Sequence, residues 1–191
     1  MIAQELDREL VDQVLDGRTE AFNLLVWRWQ RSLYNFLFRL TGDREQARDL
    51  SQDAFLRAYT RLKDLREKDK FASWLFRIAV NQYHSQFRGR QGQESQSDHS
   101  AFGETLDVAN ASSSAPLDAE TRELRMTVRT LIGRLTPEQR EVVLLKVYEG
   151  FRFEEIASIL ECPVSTVKSR LYAAFDQLRA GLESPQRVSR A

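Results

Sequence analysis

Small hydroxyl groups and two cations share one side of a predicted helix near the C-terminus of this chain. The helix follows Pro163, and its apolar residues recur every three or four positions, which predicts a buried stripe: Val164, Val167, Leu171, Ala174 and Leu178. At about 100° per residue, the opposite side carries Ser165, Thr166, Ser169 and Ala173, flanked by Lys168 and Arg170. Hydroxyls and cations suit contacts with the phosphates and base edges of DNA.

The residues before this helix predict a first helix and a tight turn. Its inner face would carry Phe153, Ile156, Ala157 and Leu160. The break falls between Glu161 and Pro163, and proline is favoured at the first position of a helix because its missing N–H is not needed there. Two helices joined by a tight turn form the arrangement that places one helix in a DNA major groove. The alternative is an amphipathic hairpin whose polar face is only solvated.

A second group of cations is predicted on a helix from about Phe71 to Arg88. No acidic residue separates the members of this set, which are Arg77, Asn81, Arg88 and Arg90. Aromatic residues alternate with them (Phe76, Tyr83 and Phe87), and the preceding loop adds Lys63, Arg66, Lys68 and Lys70. Cations, aromatic rings and an amide suit single-stranded DNA, where stacking contributes ~1–3 kcal/mol per base. The alternative is that the aromatic residues belong to the hydrophobic core.

A third polar patch is predicted on the helix that precedes this one. Asp49, Gln52 and Asp53 are spaced i, i+3 and i+4, so they share one side of the helix. The opposite side carries an apolar stripe: Ala47, Leu50, Ala54 and Ala58. The patch is either a solvated face or a docking surface for a basic partner.

The elements that would position these residues are all helical and form two small domains. Residues 1–90 predict the first domain, and residues 118–183 predict the second, which contains the helix-turn-helix. Residues 91–117 predict a flexible linker, because they hold too few large apolar groups to offset the entropy of ordering them. Residues 184–191 are expected to form a tail.

Turn and cap residues mark the helix ends. Gly17 and Gly42 are predicted to end the first two helices, because glycine adopts the left-handed conformation of a helix C-terminus. Thr19 and Asp43 are predicted to cap the helices that follow. In the second domain, Thr136-Pro137-Glu138-Gln139 predicts a capping box with proline at the first helical position.

The charge balance is neutral, with 28 basic and 28 acidic residues. A protein that binds DNA unaided usually has a basic excess, because phosphate neutralisation supplies most of its non-specific affinity. A neutral chain with a DNA-reading helix therefore indicates that a partner supplies part of that affinity.

The sequence predicts no catalytic residue, metal site or cofactor site. It contains neither a glycine-rich phosphate loop nor a nucleophile or zinc-protease motif. The single cysteine, Cys162, excludes an internal disulfide and a multi-cysteine zinc site, and we interpret it as structural. No apolar run is long enough to cross a membrane and the N-terminus lacks a signal-peptide core, so we expect a cytoplasmic protein without membrane insertion.

Four segments resemble, in order, those of a bacterial RNA polymerase sigma factor of the extracytoplasmic-function (ECF) group, sigma-E-like, in group 4 of the sigma-70 family. They are AFNLLVWRWQ (21–30), DREQARDLSQDAFLRAY (43–59), FASWLFRIAVN (71–81) and LTPEQREVVLLKVYEGFRFEEIASILECPVSTVKSRL (135–171). The resemblance implies an all-α fold with a region 2 domain and a region 4 helix-turn-helix domain. It also implies an alternative sigma factor, not an enzyme, that directs initiation at promoters with −10 and −35 elements.

The resemblance implies partners and site residues as well. The partners would be the β′ clamp and β flap of core RNA polymerase, promoter DNA, and an anti-sigma factor that is membrane-linked. The residues implied for polymerase binding are Asp49, Gln52, Asp53 and Phe55. Those implied for the −10 element are Leu65, Lys68, Lys70, Phe71, Arg77, Asn81, Arg88 and Arg90. Those implied for the −35 element are Ser165, Thr166, Lys168, Ser169 and Arg170.

The chain departs from the family pattern at several positions. Ser165 stands where a glycine is common, Arg152 where a serine cap is common and Leu65 where an aromatic residue is frequent. Ala173 and Phe175 stand where two arginines are common. We expect these departures to affect the promoter sequence that is read, since they fall in the predicted DNA-contacting elements.

Two other interpretations differ in class. A free-standing helix-turn-helix regulator would bind a palindrome as a dimer and would bind DNA tightly without polymerase, but it leaves residues 43–81 unexplained. A helical enzyme or adaptor, whose hairpin only packs, would show no dependence on DNA. As a further hypothesis, we expect the two domains to close on each other or around an anti-sigma partner.

Overall fold

The computed structural model describes residues 2–91 and 119–183, with side chains over 5–86 and 121–183. All regular structure in these ranges is helical, as predicted. The N-terminal domain contains α1 (Ile2–Leu15), α2 (Ala21–Thr41), α3 (Arg44–Thr60) and α4 (Phe71–Gln91), with short 3-10 turns at Leu62–Asp64 and Lys68–Lys70. The C-terminal domain contains α5 (Ala119–Gly133), α6 (Pro137–Val143) with a π-helical turn at Leu144–Tyr148, α7 (Phe153–Ile159) and α8 (Val164–Glu183). Most of the predicted linker (91–117) and the tail (184–191) lie outside the described residues.

The break between α2 and α3 follows the sequence pattern closely. Gly42 is left-handed (φ 73°), and its N–H donates to the Phe38 carbonyl. The Asp43 carboxylate accepts hydrogen bonds from the N–H groups of Glu45 and Gln46 at 2.8 and 3.0 Å. Two amides at the start of α3 are thereby satisfied, and the predicted Asp43 cap is confirmed.

The other two predicted caps have different outcomes. Thr136 and Gln139 exchange side-chain and backbone hydrogen bonds at 3.1 and 3.3 Å, so the capping box of α6 is confirmed. The predicted Thr19 cap is wrong, because the residue before α2 is Glu20 and no side chain caps that helix. The chain enters α2 through a continuous turn, in which the Ala21 N–H already donates to the Arg18 carbonyl.

The N-terminal domain is built around α3. This helix packs against α2 and α4, and α1 covers α2. The fully buried side chains of this core include Leu25, Leu33, Phe36, Leu37, Leu50, Phe71, Leu75 and Phe76. Asp7 is buried between Arg28, at 3.1 Å, and the Trp29 indole N–H, at 3.1 Å. Burial raises the pKa of the Asp7 carboxyl, and its two partners oppose that effect.

The C-terminal domain packs α6 and α7 against α8. Its core comprises Val142, Leu144, Leu145, Ile156, Ile159, Val167, Leu171 and Ala174. Arg140 is also buried, and its guanidinium donates to the carbonyl oxygens of Ile132, Gly133 and Leu135. These three hydrogen bonds connect the end of α5 to α6 and hold together the helices that precede the helix-turn-helix.

The two domains pack against each other. Helix α4 lies against α7, and α2 lies against the π-helical turn. The Phe151 ring meets the Phe76 ring edge-on at 5.0 Å, and both side chains are buried. The hydrophobic core is therefore continuous between the domains.

Replacing Asp43 with alanine should lower the free energy of unfolding by about 1 kcal/mol, because two amides at the start of α3 lose their acceptor. Asp43→Asn retains a side-chain oxygen and is the matched control, which should lie close to the wild type. Urea unfolding of the full chain, followed by helical circular dichroism, measures both. Equal losses in the two variants would contradict the capping role.

Candidate nucleic-acid interface

The second helix of the helix-turn-helix, α8, presents its predicted polar side to solvent. Val167, Leu171 and Ala174 are buried, so the predicted inner stripe is confirmed at its centre. The outer residues Ser165, Lys168 and Ser169 are exposed, and Thr166 and Arg170 are half-buried. The Ser169 hydroxyl donates to the Thr166 carbonyl at 3.0 Å, which leaves its lone pairs on the outer side of the helix.

Two exposed aromatic residues lie on α8 outside the predicted set, Tyr172 on the outer face and Phe175 at its flank. Tyr172 is 60% exposed and Phe175 is 42% exposed, and neither was predicted as a DNA contact. Tyr172 could have been predicted from the sequence, because it lies three positions after Ser169 and seven after Ser165, on the same side of the helix. The exposed surface of α8 therefore combines hydroxyls, a cation and aromatic rings.

The turn of the motif is held by local interactions. Glu161 adopts the left-handed conformation (φ 52°), and the Cys162 N–H donates to the Ala157 carbonyl at 3.1 Å. The Arg170 guanidinium lies 4.0 Å from the Cys162 sulfur, so this cation is directed towards the turn rather than outwards. The sequence pattern did not reveal that pairing, because Cys162 lies in the turn and helical periodicity does not relate it to Arg170 on α8.

Two lysines lie over the Phe153 ring at the start of α7. Lys168 is 5.4 Å and Lys146 is 4.8 Å from the ring centre.

The Arg152 side chain has no acceptor and cannot replace the serine cap that the family pattern favours. Instead, the Glu155 carboxylate accepts the Arg152 N–H at 2.7 Å, which satisfies one amide at this helix start.

The second candidate surface brings together only part of the predicted set. Arg77 and Asn81 are exposed and lie one turn apart on α4. Lys68 pairs with Asp12 of α1, and Lys70 pairs with Glu67 at 2.6 Å. The side chains of Arg88 and Arg90 lie outside the described residues.

Several residues predicted at this surface are instead in the core. Phe71 is fully buried and Leu65 is 7% exposed, so in this conformation neither side chain is accessible to DNA. Phe76 and Tyr83 are also buried, and the alternative interpretation of these aromatics as core residues holds. The reason is that these rings pack between α4 and α2, where Phe71 meets Phe22 at 6.4 Å and Phe76 meets Phe36 at 5.2 Å.

The acidic patch on α3 lies on the predicted side of the helix. Asp49, Gln52 and Asp53 are exposed, whereas Phe55 is buried. Next to the patch, a shallow groove is lined by Thr19, Glu20, Phe22, Asn23, Phe55, Leu56 and Tyr59. Leu56 is 63% exposed, so an apolar edge adjoins the carboxylates. Sequence reasoning missed this edge, although Leu56 falls four and three positions after Gln52 and Asp53, and Tyr59 falls three positions after Leu56.

A carboxylate of the C-terminal domain binds the side chains of Arg77 and Asn81. One oxygen of Glu161 accepts from two nitrogens of Arg77, at 2.8 and 2.7 Å. The same oxygen lies 3.4 Å from the Asn81 amide nitrogen. These hydrogen bonds and the Arg77 charge lower the pKa of the Glu161 carboxyl.

Two more glutamates of the C-terminal domain reach the N-terminal domain. Glu141 is buried and lies 2.6 Å from the His84 Nε2. The Glu149 side chain is 8% exposed, accepts a hydrogen bond from the Ser32 hydroxyl and lies 3.9 Å from Arg39. Burial raises the pKa of the Glu149 carboxyl, while Ser32 and Arg39 act in the opposite direction. In each of these three contacts the carboxylate belongs to the C-terminal domain and its partner to the N-terminal domain.

Known proteins with similar sequences match both domains. Residues 25–93 match the family described as Sigma-70 region 2, and residues 125–178 match Sigma-70 region 4. The RNA polymerase sigma-H factor of Pseudomonas aeruginosa is 35% identical over 188 residues, which span 96% of this chain and 97% of that protein. The ECF RNA polymerase sigma-E factor of Escherichia coli K12 is 33% identical over 93% of this chain and 95% of that protein.

Solved structures are similar to most of the chain. CnrH in complex with the cytosolic domain of CnrY has a TM-score of 0.69 at 25% identity, and covers 95% of this chain and 99% of that chain. The sigma factor RpoE in complex with the anti-sigma factor NepR from Bartonella quintana has a TM-score of 0.65 at 25% identity, with 86% and 98% covered.

An all-α region 2 domain followed by a helix-turn-helix region 4 domain defines a sigma factor, and the chain belongs to the sigma-70 family. Within that family it is an alternative sigma factor of the ECF group, since the sigma-H and sigma-E relatives match over nearly its whole length. In the described part of the chain, none of the helices has the length and apolar character needed to cross a membrane.

The raised pKa of Glu149 predicts a pH dependence. A group that binds its proton more tightly in the folded state stabilises that state as the pH falls from its folded pKa towards its unfolded value of 4.5, and loses that contribution as the pH rises. The wild type should therefore gain melting temperature relative to Glu149→Gln when the pH is lowered from about 7 to about 5. Thermal unfolding of both proteins across this range tests it, and a constant difference would contradict it.

Proposed function

We propose that this alternative sigma factor binds core RNA polymerase through the α3 face and recognises promoters through α4 and α8, with no catalytic activity of its own. The observation that carries the proposal is the presence of three separate polar surfaces on the elements of regions 2 and 4. One is acidic with an apolar edge, one combines an arginine with an amide, and one is a helix-turn-helix face. Their chemistry differs as their partners would differ.

The α3 face suits the β′ clamp of the polymerase. Asp49, Gln52 and Asp53 offer exposed carboxylate and amide groups to a basic partner. Leu56 and Tyr59 add exposed apolar surface at the edge of the same patch. Charge complementarity steers the encounter and fixes its register, and burial of the apolar edge adds affinity. The C-terminal domain would contact the β flap, as in the resemblance described above.

The α8 face suits the major groove of the −35 element. Ser165, Thr166 and Ser169 supply short hydroxyl groups that reach base edges or phosphates, and Lys168 supplies a cation. Arg170 is directed towards Cys162 in this structure, so it would reach DNA only after changing rotamer. Ala173 removes a cation from this end of the helix, while Tyr172 offers an aromatic ring.

The α4 face suits the separated strand of the −10 element. Arg77 can bind a phosphate and Asn81 can bind a base edge, with Lys68 and Lys70 in the adjoining turn. A base that leaves the duplex costs a few kcal/mol to unstack, so groups that bind it favour the melted state. Leu65 and Phe71 would contribute by supporting this turn from the core.

Control by an anti-sigma factor is also part of the proposal. CnrH and RpoE, the similar solved structures, are complexes with CnrY and with the anti-sigma factor NepR. We infer that a membrane-linked anti-sigma factor holds this protein inactive in the cytoplasm, where RNA polymerase acts. The neutral net charge fits this assignment, since the polymerase would supply most of the non-specific DNA affinity.

Reversing the charge of the α3 face should abolish transcription. With purified bacterial core RNA polymerase and a library of promoter fragments, the wild type should initiate specifically. Asp49→Arg/Gln52→Ala should lower the affinity for core polymerase by at least about tenfold, because like charges would face each other. Asp16→Arg places the same charge on an exposed position at the end of α1 and should behave as the wild type.

Tight DNA binding by the protein alone, without initiation by polymerase, would contradict the proposal and favour the free-standing regulator. No dependence on DNA or polymerase would favour the helical adaptor. Equal activity of the wild type and the α3 variant would remove the α3 face from polymerase binding while leaving the sigma role intact.

Replacing Lys168 with alanine should weaken the binding of holoenzyme to a selected promoter by about three- to tenfold, the effect of losing a solvent-exposed hydrogen bond worth about 1 kcal/mol. The loss should disappear on a template whose −35 element is scrambled, because the contact is no longer in register. Arg125→Ala, at an exposed position on α5, is the matched control. Equal loss on both templates would identify Lys168 as a contact that does not depend on the −35 sequence.

A further inference from the structure

The Glu161 carboxylate occupies the hydrogen-bonding groups that α4 would offer to DNA. It accepts from both Nε and Nη2 of Arg77 and lies within reach of the Asn81 amide. An arginine uses these same donors to bind a phosphate. A DNA strand and the Glu161 side chain therefore exclude each other at this position.

The conformation and exposure of Glu161 are consistent with competition between its carboxylate and a DNA strand for Arg77. Residue 161 is left-handed, a conformation in which glycine has the least strain, yet the chain carries a long acidic side chain there. The side chains of Glu161 and Arg77 are 52% and 45% exposed. An exposed ion pair is weak and exchanges readily. A competing strand can therefore displace it once the domains separate.

The rest of the interface keeps Glu161 in place. Glu141 meets His84, and Glu149 meets Ser32 and Arg39, while Phe151 packs on Phe76. These contacts are more buried than the Glu161 pair, so they position the C-terminal domain without depending on it. Glu161 is then presented to Arg77 at high effective concentration.

We call the arrangement in which the two domains pack together the closed state. It leaves the other two proposed surfaces accessible. Asp49, Gln52 and Asp53 are exposed on α3, whose main packing partners are α2 and α4. Ser165, Lys168 and Ser169 are exposed on α8. Closure therefore blocks one of the three proposed surfaces.

We propose that Glu161 is an intramolecular competitor of the −10 strand, and that the closed protein can bind core polymerase before Arg77 and Asn81 are released. The inference rests on the proposed function, because it assigns regulation to the same α4 surface. In the closed state, polymerase docking through α3 needs no opening, whereas binding of the −10 strand does. The protein would thus reach the polymerase with its strand-binding site already occupied.

The test measures binding of the free, full-length protein to a fluorescent pool of random single-stranded 12-mers. Glu161→Gln keeps the size and backbone of the residue and removes its charge. It should bind the pool about two- to fivefold more tightly than the wild type, the range expected for release of an exposed ion pair. Glu154→Gln removes the same charge from an exposed position at the start of α7 and should not change affinity. Equal gains in both variants, or no gain in Glu161→Gln, would overturn the proposal.

A second variant tests whether the gain in affinity for single-stranded DNA arises through Arg77. If Glu161 acts by occupying Arg77, the gain should disappear in an Arg77→Ala background, as a double-mutant cycle measures. A full gain in that background would overturn the competition at Arg77. In parallel, Glu161→Gln and the wild type should bind core polymerase equally. Tighter polymerase binding by the variant would show that closure also hides α3 and would overturn the proposed order.

These readouts separate the two proposals. If the sigma role were wrong, neither protein would bind core polymerase, while the comparison of Glu161→Gln with Glu154→Gln on single-stranded DNA would still decide whether Glu161 competes with a strand.

Discussion

The packing of Phe76 is the interaction on which the arrangement of this molecule depends. Its ring contacts Phe36 at 5.2 Å within the N-terminal domain and Phe151 at 5.0 Å in the C-terminal domain. One side chain thus joins the core of region 2 to the helix-turn-helix of region 4. Because burial of aromatic surface is non-directional, it brings the domains together, and the polar contacts around it set their orientation.

Those polar contacts place the carboxylates on one side of the domain interface and their partners on the other. Glu141, Glu149 and Glu161 belong to the C-terminal domain, and their partners belong to α2 and α4. The α4 side proposed to bind the −10 strand is the part that is neutralised internally, whereas the α3 and α8 faces proposed to bind polymerase and DNA keep exposed polar groups.

The sequence predicted the helical elements and their inner faces, because these follow from periodicity and from caps within a few residues. Val167, Leu171 and Ala174 are buried as their spacing predicts, and Asp43 caps α3. Contacts across long separations could not be predicted in this way. Arg77 and Glu161 are 84 positions apart, and no local pattern relates them. Leu65 and Phe71 were expected at the DNA surface and are buried, since packing between three helices decides their positions.

The ion pairs of Lys68 and Lys70 bear on how binding responds to ionic strength. Lys68 is paired with Asp12 and Lys70 with Glu67, as Arg77 is with Glu161. Affinity for nucleic acid normally falls with added salt because each neutralised phosphate releases a condensed counter-ion. A lysine that must first leave a carboxylate returns a negative charge to solvent, and that carboxylate recruits cations in turn. If region 2 binds the −10 strand through these residues as proposed, its affinity for that strand should depend less steeply on salt than its number of cations suggests, so the contact would tolerate changes in the ionic composition of the cell.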